Sequence, residues 1–137
     1  MIVLKETDIL ASDAKTVAKV FQDLLAVEDA IDRDKEHFYV MHIAARNTVK
    51  LVELVSIGSV DAAIVHPRET FRRAVMAGSV SIIIAHNHPS ADVTPSEQDI
   101  ALTRRLFDAG QILGIQLLDH IIFSQNSYCS MKGEGRW

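Results

Sequence analysis

The sequence contains little cysteine, glycine or proline, and it has no long apolar run. Cys129 is the one cysteine among 137 residues, which excludes an internal disulfide and a zinc site built from cysteines. The six glycines and three prolines form no linker. No stretch approaches the roughly 18–20 apolar residues that span a bilayer, and residues 1–6 lack the features of a secretory signal. We therefore expect a cytoplasmic protein without membrane contact, in which histidines and carboxylates would bind any metal.

Neither sign of charge dominates the chain. It carries 14 lysines and arginines against 18 aspartates and glutamates, a net charge of −4 and a pI of about 5.8. This balance gives no support to a broad phosphate-binding face. Hydrophobic residues make up 48% and charged residues 23%, so a sizeable core can form and wholesale disorder is excluded. The length suits one compact domain.

Hydrophobic periodicity divides the chain into an amphipathic helical segment, 1–34, packed on a single domain, 35–137. After Ser12, which we predict as an N-cap, apolar residues recur at helical spacing. They are Val17, Val20, Phe21, Leu24, Leu25 and Ile31. The charged residues at 29–35 are expected to end this helix.

Strands and helices alternate through the rest of the chain. Strands are predicted at 37–45, 50–57, 60–65, 80–85, 115–124 and 128–131, and helices at 67–77 and 96–109. The first two strands form a hairpin with its turn at 47–48. Pro67 suits the first turn of one helix and Gly78 its end, whereas Gly110 or Gly114 closes the other. This order favours an α/β (α+β) sandwich, a central mixed β-sheet flanked by helices.

The residues with the clearest chemical pattern follow the apolar run at 80–85. His86 and His88 lie two residues apart at the end of a predicted strand, so both imidazoles can face one ion. Asp99 lies in the first turn of the next helix, and Ser96 is three residues earlier on nearly the same side. Two histidines and one carboxylate around an open position form the ligand set of a catalytic zinc site.

Helix capping is the alternative role for Ser96 and Asp99. Thr94 offers a competing N-cap, because Pro95 would then occupy the first helical position and Glu97 the third. With Thr94 as the cap, Asp99 is not needed for capping, and it lies at the N-terminal end of an apolar stripe of the helix. The stripe comprises Leu102, Thr103, Leu106 and Ala109. A buried carboxylate there needs a positive partner, which a metal at the two histidines would provide.

The same residues resemble the signature of a known enzyme superfamily. His86-x-His88-Pro89, six residues, and then Ser96-x-x-Asp99 resemble the motif of the JAMM (MPN+) zinc metalloproteases and isopeptidases. Three segments, one of which contains this motif, are similar to the C-terminal domain of the bacterial RadC family, and the resemblance runs from about residue 35 to 128. They are His-Pro-Arg-Glu at 66–69, Ala-His-Asn-His-Pro-Ser at 85–90 and Leu-Leu-Asp-His at 117–120.

The resemblance implies a zinc hydrolase with the cytidine deaminase-like architecture of MPN domains. His86, His88 and Asp99 would be the zinc ligands, with water in the fourth position at a pKa of roughly 7. Ser96 would donate a hydrogen bond to the oxyanion of the tetrahedral intermediate. The family also uses an upstream glutamate as general base and acid. Glu36 is the best match, and Glu53 is the alternative.

The leading function is therefore that of a zinc-dependent peptidase or isopeptidase acting on a peptide or protein of unspecified identity. One alternative is a DNA-repair factor that binds or processes nucleic acid, since RadC is named for a presumed repair role, although the acidic pI opposes it. Another is an MPN scaffold without catalysis. His120 matches the RadC pattern and is expected to support the site, to contact the substrate or to be structural. A homodimer is the default assembly.

Overall fold

A six-stranded sheet forms the middle layer of the structure, a computed structural model that describes residues 1–5, 7–58 and 65–135. Its strands are β1 (Ile2–Lys5), β2 (Glu36–Ile43), β3 (Val49–Gly58), β4 (Ser81–Asn87), β5 (Gln116–Phe123) and β6 (Tyr128–Ser130). Their order across the sheet is β1-β3-β2-β4-β5-β6. β4 and β5 are parallel, and the other neighbouring pairs are antiparallel. The sheet is therefore mixed, as predicted.

Helices cover both faces of this sheet, which confirms the predicted α/β sandwich. They are α1 (Ala14–Ala26), α2 (Ala30–Arg33), α3 (Pro67–Ala77) and α4 (Glu97–Leu113), with a short 3-10 turn at Ala45–Asn47. α1 packs on one face, and α3 and α4 pack on the other. Among the helices in the described segments, none combines the length and the apolarity needed to cross a membrane.

β4 is the most deeply buried strand and leads directly to the histidine pair. All seven of its residues are buried, because helices cover it on both sides. Ile82 and Ile84 face α3 and α4, whereas Ile83 and Ala85 face α1. His86 continues the alternation and therefore points toward α4.

Aromatic rings fill the layer between α1 and the sheet. Phe21 of α1 is fully buried, and its ring centroid lies 5.7 Å from that of Tyr39 and 5.9 Å from that of Phe123. These are ordinary separations for packed aromatic pairs. The rings join α1 to β2 and β5, so the helix predicted from the N-terminal periodicity is an integral part of the core.

The first helix is shorter than predicted, and Ser12 is not its N-cap. Asp13 is the cap, because its side chain accepts a hydrogen bond from the Thr16 backbone N–H at 2.7 Å. The helix ends at Ala26, and Asp29 then caps the separate helix α2. Ile31 therefore lies outside the core stripe and is 76% exposed. Periodicity alone did not reveal the break, since Ile31 falls on the same face of an ideal uninterrupted helix.

Two further differences concern strands. Residues Ile2–Lys5 form β1, which pairs antiparallel with β3. This strand was not predicted, because four residues are too few to show a hydrophobic period. The strand predicted at 60–65 falls mostly on residues 60–64, which lie outside the described residues. Val65 is a buried bend before α3.

The two glycines near the end of α4 have different roles. Gly114 closes the helix with a φ of +72°, a left-handed conformation that glycine adopts without strain. Gly110 lies within the helix, where a Cβ atom would collide with the carbonyl oxygen of Ile115. Gly114 is thus the terminator, and Gly110 allows the chain to turn back closely into β5.

Replacing Phe21 by alanine should lower the free energy of unfolding by about 3–5 kcal/mol, because the change removes a fully buried ring that contacts two others. The matched control is Ile31→Ala, which we expect to change stability by no more than about 0.5 kcal/mol at an exposed position. Urea unfolding followed by circular dichroism measures both. Equal losses in the two variants would contradict the observed break between α1 and α2.

Candidate metal centre

His86 lies near the carboxyl end of β4 and His88 directly follows the strand, and the Nε2 atoms of the two rings point to one place. His86 is fully buried, whereas the His88 side chain is 17% exposed. The Nδ1 atom of His88 lies 2.7 Å from the carbonyl oxygen of Asp92. Because a carbonyl oxygen can only accept, Nδ1 carries a proton, and Nε2 is the ring nitrogen available to a metal.

Asp99 reaches the histidines from the first turn of α4, and that turn does not begin as predicted. Ser96 is the N-cap: its Oγ accepts from the Asp99 N–H at 3.0 Å, and Asp99 Oδ2 accepts from the Ser96 N–H at 2.9 Å. The prediction of Thr94 as the cap is therefore wrong. The Thr94 N–H is bound by Asp92 Oδ1 at 3.0 Å, so Thr94 belongs to the preceding turn. The reciprocal bonds of this capping box orient the Asp99 carboxylate.

The three side chains converge on a site with the dimensions of a zinc centre. Nε2 of His86 lies 3.0 Å from Nε2 of His88, and the two nitrogens lie 3.1 and 3.2 Å from the Asp99 carboxylate oxygens. In a tetrahedron with zinc–ligand bonds of about 2.0–2.1 Å, neighbouring ligand atoms are about 3.3–3.4 Å apart. The donor set and its spacing thus fit zinc.

Electrostatics at this point favour a bound cation. Burial alone would raise the pKa of Asp99, but hydrogen bonds from His86, His88 and the Ser96 backbone hold that pKa well below its usual range. The contact with Asp99 also raises the pKa of His88 against the opposing effect of burial. A buried carboxylate that stays ionised is a hard, negatively charged ligand for a divalent metal.

His120 and Thr103 lie directly behind His86 and have no exposed surface. Nε2 of His120, from β5, is 2.8 Å from Nδ1 of His86, and its Nδ1 is 2.6 Å from Oγ1 of Thr103. Complete burial lowers the pKa of His120 well below its usual range, and the neighbouring His86 lowers it further. Of the roles left open for His120, support of the site agrees with this position. Sequence reasoning missed Thr103 because it read the residue as part of an apolar stripe.

The two candidate glutamates lie in different surroundings. Phe38 pairs directly with His86 across β2 and β4, so Glu36, two residues earlier, lies on the same face of the sheet at the same end. The charge of Glu36 contributes to the raised pKa of His88, as expected of a near neighbour. Glu53 instead accepts from Nε of Arg73 at 2.8 Å and lies 3.6 Å from His42.

Asn87, between the two histidines, holds the backbone on both sides of Glu36. Its Oδ1 accepts from the His37 N–H at 2.6 Å, and its Nδ2 donates to the carbonyl oxygen of Lys35 at 3.1 Å. The amide thereby ties the start of β2 to the end of β4. Asn87 stands in the motif quoted above, but its contacts depend on strand pairing and could not be read from the motif.

A cavity of about 480 Å³ opens beside His88. It lies between the α1–α2 region, which contributes Leu25 and Arg33, and the turn between β5 and β6, which contributes Gln125 and Asn126. Its volume is in the range of binding sites for small molecules or short peptide segments. The cavity and the three converging side chains share His88.

Comparison with known proteins agrees with this architecture. A family model described as a RadC-like JAB domain matches residues 11–136. The chain belongs to the RadC-like JAB domain family. It is 41% identical over 128 residues to a UPF0758 protein of Desulforamulus reducens, a match covering 92% of this chain and 56% of the relative.

Other relatives of this RadC-like JAB domain are equally partial matches. A UPF0758 protein of Desulfitobacterium hafniense is 48% identical over 111 residues, covering 81% of this chain and 49% of the relative. One from Methanosarcina mazei is 47% identical over 104 residues, covering 76% of this chain and 45% of the relative. The RadC-like chain thus spans about half the length of the curated relatives that it matches.

Alanine substitutions at Ser96 and Thr94 distinguish between the two N-cap candidates of α4. Ser96→Ala should lower the free energy of unfolding of the metal-free protein by about 1 kcal/mol, the usual cost of losing an N-cap side chain. Thr94→Ala should change it by no more than about 0.5 kcal/mol, since Thr94 lies outside the capping box. Chemical denaturation measures both free energies of unfolding. A larger decrease for Thr94→Ala than for Ser96→Ala would indicate that Thr94, and not Ser96, is the N-cap.

Metal content tests the converging side chains directly. The purified wild-type protein should contain about one zinc ion per chain, and His88→Ala should contain little, because only two ligands remain. Elemental analysis of both proteins, before and after zinc is added and excess removed, provides the measurement. His66→Asn is the control: His66 caps α3 through its Nδ1 atom, and asparagine preserves an N-cap. Equal zinc in wild type and His88→Ala would rule out this site.

Proposed function

We propose that this RadC-like JAB domain hydrolyses peptide or isopeptide bonds, using a zinc ion held by His86, His88 and Asp99. The convergence of their ligand atoms at the end of β4 carries the proposal, since all three atoms lie within 4.8 Å of one another. Three protein ligands are typical of catalytic zinc, whereas structural zinc sites usually have four. Within the described residues the group has these three members.

Zinc bound here would act as a Lewis acid, polarising the scissile carbonyl and lowering the pKa of a water molecule. Ser96, exposed at the start of α4, contributes a hydrogen-bond donor. Its Oγ uses a lone pair to accept from the Asp99 N–H, so the hydroxyl proton is still available to the oxyanion that develops on the carbonyl oxygen. Helix capping and catalysis are therefore compatible at Ser96.

Glu36 is the proposed general base and acid. A carboxylate oxygen of Glu36 takes a proton from the attacking water and returns it to the nitrogen of the leaving amine. Its place beside His88 supports this role, and the Asn87 amide holds the adjacent backbone. Glu53 is the weaker candidate, because the Arg73 guanidinium binds its carboxylate.

The cavity beside His88 is the proposed location of the substrate. Apolar side chains such as Leu25 and Phe123 and polar ones such as Gln125 line it, a mixture suited to a peptide segment rather than to a phosphate backbone. A peptide passing through this cavity would reach the exposed edge of His88 and so approach the zinc ligands. We therefore place the substrate class among peptides and proteins.

Glu36→Gln should retain zinc but lower the rate of hydrolysis by about 10²–10⁴-fold, because the amide cannot accept the proton. The test incubates the zinc-loaded protein with a mixture of peptides and with isopeptide-linked substrates, and mass spectrometry identifies the products. Zinc content is measured on the same samples, so loss of the metal and loss of the base are distinguished.

Glu53→Gln is the matched control, since it makes the same chemical change at the other candidate. We expect it to retain zinc and most of the activity while losing stability through the broken ion pair with Arg73. Full activity in Glu36→Gln, with loss in Glu53→Gln, would reverse the assignment. Cleavage of a DNA substrate but of no peptide or isopeptide would overturn the proposed function.

A further inference from the structure

Two buried polar side chains behind His86 have no part in the chemistry proposed above. His120 and Thr103 are both fully buried, and they form a continuous line of short hydrogen bonds from His86 to α4. Buried polar groups are costly unless each donor meets an acceptor. The donor and the acceptor of each hydrogen bond therefore follow in turn, starting from the bond between Thr103 and the Asp99 carbonyl.

The contact within α4 shows where the hydroxyl proton of Thr103 lies. Thr103 Oγ1 lies 2.7 Å from the carbonyl oxygen of Asp99, one helical turn earlier. At that distance two oxygen atoms need a proton between them, and a carbonyl has none to give, so the hydroxyl donates. The Met131 sulfur at 3.5 Å is a weaker acceptor and does not compete.

The hydroxyl of Thr103 has a single proton, so it must accept in its 2.6 Å contact with Nδ1 of His120. Nδ1 of His120 is therefore the protonated nitrogen. An imidazole whose single proton is on Nδ1 holds a lone pair on Nε2. That lone pair faces Nδ1 of His86 at 2.8 Å, so Nδ1 of His86 is the donor.

We infer that Thr103 and His120 are positioning residues that hold His86 as its Nδ1–H tautomer, so that the Nε2 lone pair faces the cation. The inference rests on the proposed metal site for the identity of the cation. Asp99 takes part at both ends of this line of bonds. Its carbonyl oxygen accepts from Thr103, and its carboxylate oxygen Oδ1 lies 3.1 Å from Nε2 of His86. One residue of α4 thereby orients both ends of the His86 ring.

The choice of partner has a chemical consequence. A histidine ligand most often donates its second N–H to a carboxylate, a carbonyl oxygen or water, which raises its basicity and sets its tautomer. His86 donates to a neutral imidazole instead. The arrangement sets the tautomer without adding a negative charge behind the ligand, so a bound divalent ion would keep more of its positive charge for the substrate.

Nuclear magnetic resonance of protein labelled with ¹⁵N-histidine reads the tautomers directly. In the metal-free wild-type protein, we expect His86 and His120 each to carry a proton on Nδ1, and His120 to carry none on Nε2. After zinc is added, the His86 Nε2 signal should shift while both Nδ1 protons persist. A proton on Nε2 of His120 in the metal-free protein would overturn the inference.

Zinc affinity, measured by competition with a chromophoric chelator, tests the consequence. His120→Leu should weaken zinc binding about 10–100-fold, since the His86 N–H loses its acceptor, and His120→Gln should recover part of the loss because its carbonyl can accept. Thr103→Val should weaken binding by about tenfold and leave His120 in mixed tautomers, whereas Thr103→Ser should behave as wild type.

Thr70→Val is the matched control for Thr103→Val. Thr70 is also fully buried, and its hydroxyl makes the same type of bond, to the His66 carbonyl at 3.2 Å in α3. We expect its zinc affinity to equal that of wild type, which separates a general loss of stability from an effect on His86. Wild-type affinity in both Thr103→Val and His120→Leu would overturn the inference and leave the proposed function intact. Failure of the wild-type protein to bind zinc would overturn the proposed function, and the tautomers in the metal-free protein would still decide the inference.

Discussion

The Asp99 carboxylate is ionised although only 3% of the residue is exposed, and the surrounding groups are arranged to compensate that charge. An unpaired buried charge would cost several kcal/mol, so imidazole rings and a backbone N–H at the start of α4 all point at it. The capping box holds the carboxylate in place from the helix side. Removal of either histidine would leave a buried negative charge with too few partners.

The parallel pair β4 and β5, joined through α4, explains why these groups meet. In such a unit the carboxyl ends of both strands and the start of the connecting helix lie at one edge of the sheet, where ligands commonly bind. β4 contributes His86, α4 contributes Asp99 and Thr103, and β5 contributes His120. β2 then adds Glu36 from the opposite side by antiparallel pairing with β4.

Local sequence signals were reliable where one explanation was available and misleading where two competed. The buried strand and the glycine at the end of α3 were predicted correctly, because an apolar run and a left-handed cap each have a single common cause. Thr94 and Ser96 both satisfied the rules for an N-cap, and the choice depended on Asp92, which binds the Thr94 N–H. Ile31 satisfied the helical spacing but lies beyond a break capped by Asp29.

The sequence by itself determined the candidate ligand set. Two histidines two residues apart at the end of a strand share a face, and a carboxylate in the first turn of the next helix can meet them when strand and helix pack together. The resemblance offered Glu36 ahead of Glu53 and left the role of His120 open, and only the tertiary structure shows Glu36 near His88 and His120 behind His86. Glu36 and His120 reach the site from strands distant in sequence, since His120 bonds to His86 across 34 residues. Such contacts depend on the order and register of strands that are far apart in sequence, which packing across the whole sheet decides.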